Sequence, residues 1–183
     1  MHSWNRLLSG LALGTAVLAA PACSSSSKDS GGGGNNDTST CSIALTGAVT
    51  TTDDCSGVPL ADYTTATGKG SLSIEHSTTD TSLASSTVEI IFNGAPSTAT
   101  TYTESTPGIN ASASVHQNSN VWRQNVGNGG ATTGTFTLKF TSLDVVTSGA
   151  SGTDYTPHGT LTIVLPAVAG NTATGNVTLT ATF

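Results

Sequence analysis

The residues of this chain that could carry nucleophilic, redox or metal chemistry begin with three cysteines, Cys23, Cys41 and Cys55. Zinc sites usually combine closely spaced cysteines with one another or with histidines. Neither Cys41 nor Cys55 belongs to a CxxC motif or has a histidine nearby, so we predict no metal site at this pair.

Three histidines follow on well-separated segments, His76, His116 and His158. They could hold a catalytic zinc only if the fold brought all three to one point, and nothing in their spacing requires this. The HExxH, GxSxG and P-loop motifs are absent, and serine is so abundant that a Ser-His-Asp triad has no specificity. We therefore predict no catalytic residues, no metal and no cofactor.

Trp122 and Arg123, followed by Gln124, form the strongest candidate for a binding position. An exposed indole with polar neighbours could stack on a sugar ring, because an aromatic face beside hydrogen-bonding groups suits carbohydrate. A single tryptophan in a β domain is also a common core residue. The sequence leaves both interpretations open.

Residues 1–22 have the three parts of an export signal. Arg6 follows the amino terminus, an apolar stretch runs from Leu7 to Ala20, and small residues precede Cys23. The apolar run is interrupted by polar residues and glycines and is shorter than the roughly 20 residues that a spanning helix needs. We predict a signal peptide rather than a membrane-spanning helix.

The segment Ala20-Pro21-Ala22-Cys23 resembles the lipobox of bacterial lipoproteins, with Ala20 where that family prefers leucine. The resemblance implies that the Cys23 thiol is diacylated and becomes the first residue of the mature chain. Ser24 in place of aspartate implies sorting to the outer membrane, with the lipid as the membrane contact. The same segment also satisfies the ordinary A-x-A cleavage rule, so a secreted soluble protein is the alternative.

Export to an oxidising compartment favours disulfide pairing. If Cys23 carries lipid, Cys41 and Cys55 remain as one pair. Their bond would close a loop of about 15 residues, which the chain-entropy model values at about 3 kcal/mol.

Residues 23–40 are predicted to form a disordered tether and residues 41–183 a single domain. The tether contains no large apolar side chain and is rich in Ser, Gly, Asn and Asp, so it cannot bury enough surface to fold. Residues 41–183 contain nine acidic and three basic side chains, a net charge of −6. This balance excludes nucleic acid as a partner, because nucleic acid requires a basic surface.

Apolar and polar residues alternate in five segments of the domain, which predicts half-buried antiparallel strands. The segments are 71–76, 87–92, 136–141, 161–165 and 177–183, with weaker candidates at 43–50, 98–103 and 111–122. Asn93-Gly94, Asn128-Gly129, residues 149–152 and Gly170-Asn171 have the residue types of tight turns, and the Asn-Gly pairs predict hairpins. The fold class is therefore all-β, an antiparallel β-sandwich of about eight or nine strands.

These features are similar to those of small β-sandwich lipoproteins of Gram-negative bacteria. They favour a non-catalytic envelope module that binds a glycan or a protein partner through its loops. The alternative is a hydrolase or metalloenzyme whose site has no sequence signature.

Overall fold

The computed structural model describes residues 40–127 and 134–183. Cys23, the signal segment, most of the tether and Asn128-Gly129 lie outside the described residues. The described part contains eleven strands and no helix, so it includes no helix long and apolar enough to cross a membrane. The strands are β1 (Ser42–Gly47), β2 (Thr51–Asp54), β3 (Leu60–Thr64), β4 (Lys69–His76), β5 (Ser85–Asn93), β6 (Thr101–Thr103), β7 (Asn110–Gln117), β8 (Asn120–Val126), β9 (Phe136–Gly149), β10 (Gly152–Pro166) and β11 (Asn176–Thr182).

The all-β prediction is confirmed, and the alternation that predicted it has a direct structural cause. Successive side chains of a strand point to opposite faces, so one residue in two enters the core. In β5, Val88, Ile90 and Phe92 are buried while Thr87 and Glu89 are exposed. The strands β4, β9, β10 and β11 follow the same rule over the segments that alternate in sequence.

The strands pair antiparallel and form two layers that share the β9–β10 hairpin. One layer has the order β2-β1-β11-β10-β9-β6. In the other, β3 joins β10, and β4, β5, β7 and β8 follow in order. The layers face each other across aromatic contacts, since the Phe92 ring of β5 lies 4.7 Å from Tyr102 of β6 and 5.9 Å from Phe140 of β9. The fold is therefore a β-sandwich whose two layers are joined at one corner, where the β9–β10 hairpin runs from one layer into the other.

Gly159 marks the corner at which β10 changes layer. Residues 152–155 of β10 pair with β3, whereas residues 160–166 pair with β11. A register shift between His158 and Gly159 bends the hairpin, as β-bulges do. The Gly159 N–H donates to Phe183 O at 2.6 Å and the Phe183 N–H donates back to Gly159 O at 3.0 Å. A Cβ on residue 159 would collide with the backbone carbonyl of Lys139.

The replacement Gly159→Ala should therefore destabilise the domain. Because the clash is with backbone rather than with a flexible side chain, we expect a loss of about 1 to 3 kcal/mol in the free energy of unfolding, measured by urea denaturation. Gly149→Ala is the matched control, since a Cβ there meets nothing within 4 Å. Equal midpoints for the two variants would contradict the role of Gly159.

Cys41 and Cys55 form a disulfide, as predicted, with their Cα atoms 5.3 Å apart. The bond joins the residue before β1 to the residue after β2, where the Cys55 N–H also donates to Cys41 O at 3.0 Å. It therefore closes the open end of the β1–β2 hairpin, in which β2 is an edge strand of that layer.

Replacement of both cysteines, Cys41→Ala with Cys55→Ala, should lower the free energy of unfolding by about 3 kcal/mol, because the unfolded chain regains the entropy of the open loop. Urea denaturation without reductant measures the change. Reductant should shift the unaltered protein toward the variant's midpoint and leave the variant unaffected. A variant as stable as its oxidised parent would contradict the prediction.

The prediction of eight or nine strands was too low. The segment 111–122 contains a hairpin rather than one strand, because Asn118 turns the chain with a positive φ of 53° between β7 and β8. The strands β2 and β3 have four and five residues and are too short for their alternation to be distinctive, whereas β6 lies within the weaker candidate 98–103. The hairpin predicted at Asn93-Gly94 is wrong, since β5 pairs with β4 and β7 and the chain leaves at Gly94 to reach β6 in the other layer. The tight turn predicted at residues 149–152 does form, and it joins β9 and β10 in a hairpin.

Candidate functional site

The three histidines have separate surroundings. His76 at the end of β4 donates from Nδ1 to the backbone oxygen of Asp54 at 2.8 Å. His158 in β10 lies 3.2 Å from Asp144 of β9, measured from Nε2 to Oδ2. His116 is exposed on β7. Within the described residues, no three His, Cys, Asp or Glu side chains are grouped closely enough to hold a metal ion.

Trp122 and Arg123 point to opposite faces of β8. Trp122 faces inward and is only 3% exposed, whereas Arg123 lies on the exposed outer face. The two side chains therefore do not form one surface, and the indole has no open face for stacking. Trp122 instead forms a β-bridge with Ala167 that brings β8 against the end of β10.

A cleft of about 530 Å³ lies beside Trp122, and we call it the amide cleft. It lies between the start of β8, the turn after β1 and the connection from β10 to β11. Amide and hydroxyl side chains dominate its wall, and none of the described residues that line it is charged. They are Gly47, Ala48, Gln117, Asn120, Trp122, Thr172, Ala173, Thr174, Gly175 and Asn176.

Hydrogen bonds from the β10–β11 connection to the start of β8 hold the cleft wall in place. Asn171 Nδ2 donates to Val121 O at 2.9 Å, and the Thr172 hydroxyl donates to Asn120 Oδ1 at 2.6 Å. The Val168 N–H also donates to Val121 O, at 3.0 Å. The wall is therefore fixed before any ligand arrives, which lowers the entropy cost of binding.

Two inward side chains of β8 contain buried polar atoms without hydrogen-bond partners in the described structure. They are Nε1 of Trp122 and both amide atoms of Gln124. Buried polar groups are nearly always paired, so an unpaired one calls for a ligand, a water molecule or a functional reason. Only one other such atom occurs among the described residues, Oγ of Ser86 on β5.

Replacing Gln124 by the similarly shaped Met should stabilise the protein. Removal of an unpaired buried amide relieves its desolvation cost, so we expect a gain of about 1 to 3 kcal/mol in the free energy of unfolding. Gln117→Met is the control, because Gln117 Nε2 donates to Ser82 O at 3.0 Å and should not gain stability when the amide is removed. Thermal and urea denaturation measure both variants. A destabilised Gln124→Met would indicate that ordered water satisfies the amide.

The resolved pKa shifts of the described residues lie outside the amide cleft. Burial raises the pKa of Tyr102, and a hydrogen bond from the Ser97 N–H partly offsets this. A hydrogen bond from the Ser82 hydroxyl lowers the pKa of the exposed Asp80 carboxyl. Catalytic sites often contain groups with strongly shifted pKa values that converge in a cleft. Tyr102 instead belongs to an aromatic cluster in the core, and Asp80 lies in a surface turn.

Of the cleft residues, sequence reasoning identified only Trp122. Gln117 and Asn120 carry the weak signal of an amide-rich segment, residues 117–125, and the β10–β11 connection that meets this segment is about 50 residues away. No family model matches this chain, and neither does any curated protein or solved structure with which it was compared.

Proposed function

We propose that this chain is a lipid-anchored protein of the bacterial cell envelope whose β domain is a non-catalytic binding module. The amide cleft carries the binding role, because it combines concavity, polar side chains and a prearranged wall. Ligand sites are concave and mostly formed in advance, with a few placed polar groups. The net charge of −6 argues against nucleic acid as the partner.

The anchor proposal depends on Cys23 and the residues before it. The apolar run, the small residues and the cysteine resemble a lipoprotein signal, and the Cys41–Cys55 bond does not involve Cys23, the third cysteine of the sequence. An acylated Cys23 followed by 17 solvated residues would hold the domain at a root-mean-square distance of about 20 to 25 Å from the lipid. Secretion without lipid is the second candidate, since the cleavage rule is satisfied equally.

Cys23→Ser should release the protein from membranes, because the hydroxyl cannot take the thioether-linked lipid. Membrane and soluble fractions of cells expressing each form measure the change. Ser26→Ala is the matched control and should remain in the membrane fraction. Retention of Cys23→Ser in membranes would contradict lipid anchoring.

Mass spectrometry of the membrane-purified protein supplies a second test of the anchor. We expect a mature chain that begins at Cys23 with the added mass of acyl chains. An unmodified Cys23 in a protein found outside the membrane would support secretion instead. Ser24→Asp should shift the protein from the outer to the inner membrane if sorting follows the lipoprotein pattern.

The alternative, a hydrolase, has one structural observation in its favour. His158 pairs with Asp144, and Ser142 lies directly opposite His158 in the β9–β10 ladder. A nucleophilic serine requires a hydrogen bond to the histidine, and the described residues show none between Ser142 and His158. Turnover of a chromogenic ester that disappears in His158→Ala would favour this alternative.

A further inference from the structure

We propose that the amide cleft binds a neutral glycan, with Asn120, Trp122, Thr174 and Asn176 as contact residues. This inference rests on the proposed binding function and adds the chemical class of the ligand. It follows from the charge, the free hydrogen-bonding groups and the size of the cleft.

The absence of charge in the described cleft wall selects a neutral ligand. A charged ligand group placed there would lose its water without gaining a counter-charge, which is strongly unfavourable. The acidic balance of the domain would in addition repel anions. Acidic polysaccharides and phosphorylated ligands therefore fit poorly.

The hydrogen-bonding groups of the wall select a ligand that is rich in hydroxyls. Asn120 uses Oδ1 to accept from Thr172, which leaves its two Nδ2 protons as donors. Gln117 uses Nε2 on Ser82 O, which leaves Oε1 as an acceptor. Within the described residues, the side chains of Thr174 and Asn176 make no hydrogen bond, so each offers both a donor and an acceptor.

A neutral sugar matches this wall because each of its hydroxyls both donates and accepts. An apolar ligand would leave the amides desolvated and unpaired, which is unfavourable for each group. The buried Trp122 contributes an apolar part of the wall. Its burial makes it a wall residue rather than a stacking platform.

The size of the cleft favours a small ligand segment over a folded protein partner. About 530 Å³ lies within the range of about 300 to 1,000 Å³ that is usual for small-molecule sites. A stable protein interface needs about 800 Å² on each partner, which is better met by a broad surface than by a cleft. We therefore place a short glycan segment in the cleft, and a protein partner becomes an outcome of the test.

The test uses the mature protein, purified from membranes in detergent, on an array of neutral, acidic and amino-sugar glycans. We expect binding to neutral glycans that changes little with salt, because no charge pair is formed. Trp122 is the only tryptophan after residue 22, so its fluorescence reports directly on the cleft in solution.

Asn120→Asp is the decisive variant because it keeps the shape of the side chain and the acceptor for Thr172 while removing the Nδ2 donors and adding a charge. We expect affinity for the neutral glycan to fall about tenfold or more. Asn125→Asp makes the same substitution on the exposed face of the same strand, and its acceptor for the Ser112 hydroxyl is kept. This control should bind like the parent.

Asn176→Leu provides a second measurement, since its side chain makes no bond that the fold needs and its backbone oxygen still accepts from the Ala48 N–H. Circular dichroism confirms that each variant is folded. Equal affinities of Asn120→Asp and Asn125→Asp, or selective binding of acidic glycans, would overturn the neutral-glycan inference. A protein ligand lost in Asn120→Asp would overturn the glycan but keep the binding module, whereas ester hydrolysis that depends on His158 would contradict the proposed function itself.

Discussion

The two-layer architecture depends on one strand that belongs to both layers. β10 pairs along one edge with β3 and then with β11, and β9 follows it along the other edge. A strand can serve two layers only if it bends, and the bend at Gly159 requires a residue without a side chain beside the Lys139 carbonyl. The reciprocal hydrogen bonds between Gly159 and Phe183 fix the last residue of the chain at the same corner.

The opposite side of the sandwich is closed by β8, and this closure forms the amide cleft. Trp122 bridges to Ala167, and the connection after β10 is tied to the start of β8 through Asn171 and Thr172. The layers meet at this side through amides and hydroxyls instead of continuous strand pairing. A polar seam at the margin of an apolar core is where unpaired donors and acceptors can remain for a ligand.

In the proposed function, the domain is held at a membrane by residues that precede it in the chain and lie outside the described part. A lipid on Cys23 would supply attachment, the solvated tether would supply reach, and the domain would supply recognition. Each part is simple in physical terms: acyl chains partition into lipid, a Ser/Gly-rich sequence behaves as a flexible coil, and an uncharged cleft accepts a neutral polar ligand. The acidic balance of the domain is consistent with this division, because it gives the domain no electrostatic attraction of its own to anionic lipid.

Much of the strand content could be predicted from sequence because alternation is a property of consecutive residues. The segments around Leu72, Ile90, Leu138, Ile163 and Leu179 alternate clearly, and all five residues are buried in the core. The short strands β2 and β3 could not be predicted, since four or five residues are too few to establish a period, and β6 was only a weaker candidate within 98–103. They exist because longer neighbours supply hydrogen-bond partners.

The fold class and the acidic, hydroxyl-rich character of the domain follow from the sequence alone, because they depend on local pattern and composition. The sequence predicted the pairing of Cys41 with Cys55 only on the condition that Cys23 carries lipid. The folded arrangement of the strands sets three further features: β5 lies beside β7, Trp122 is buried and Asn120 meets Thr172. Such contacts join residues far apart in the chain. They are set by the register and bend of whole strands, and the alternation of residues within one strand carries no information about which strand lies beside it.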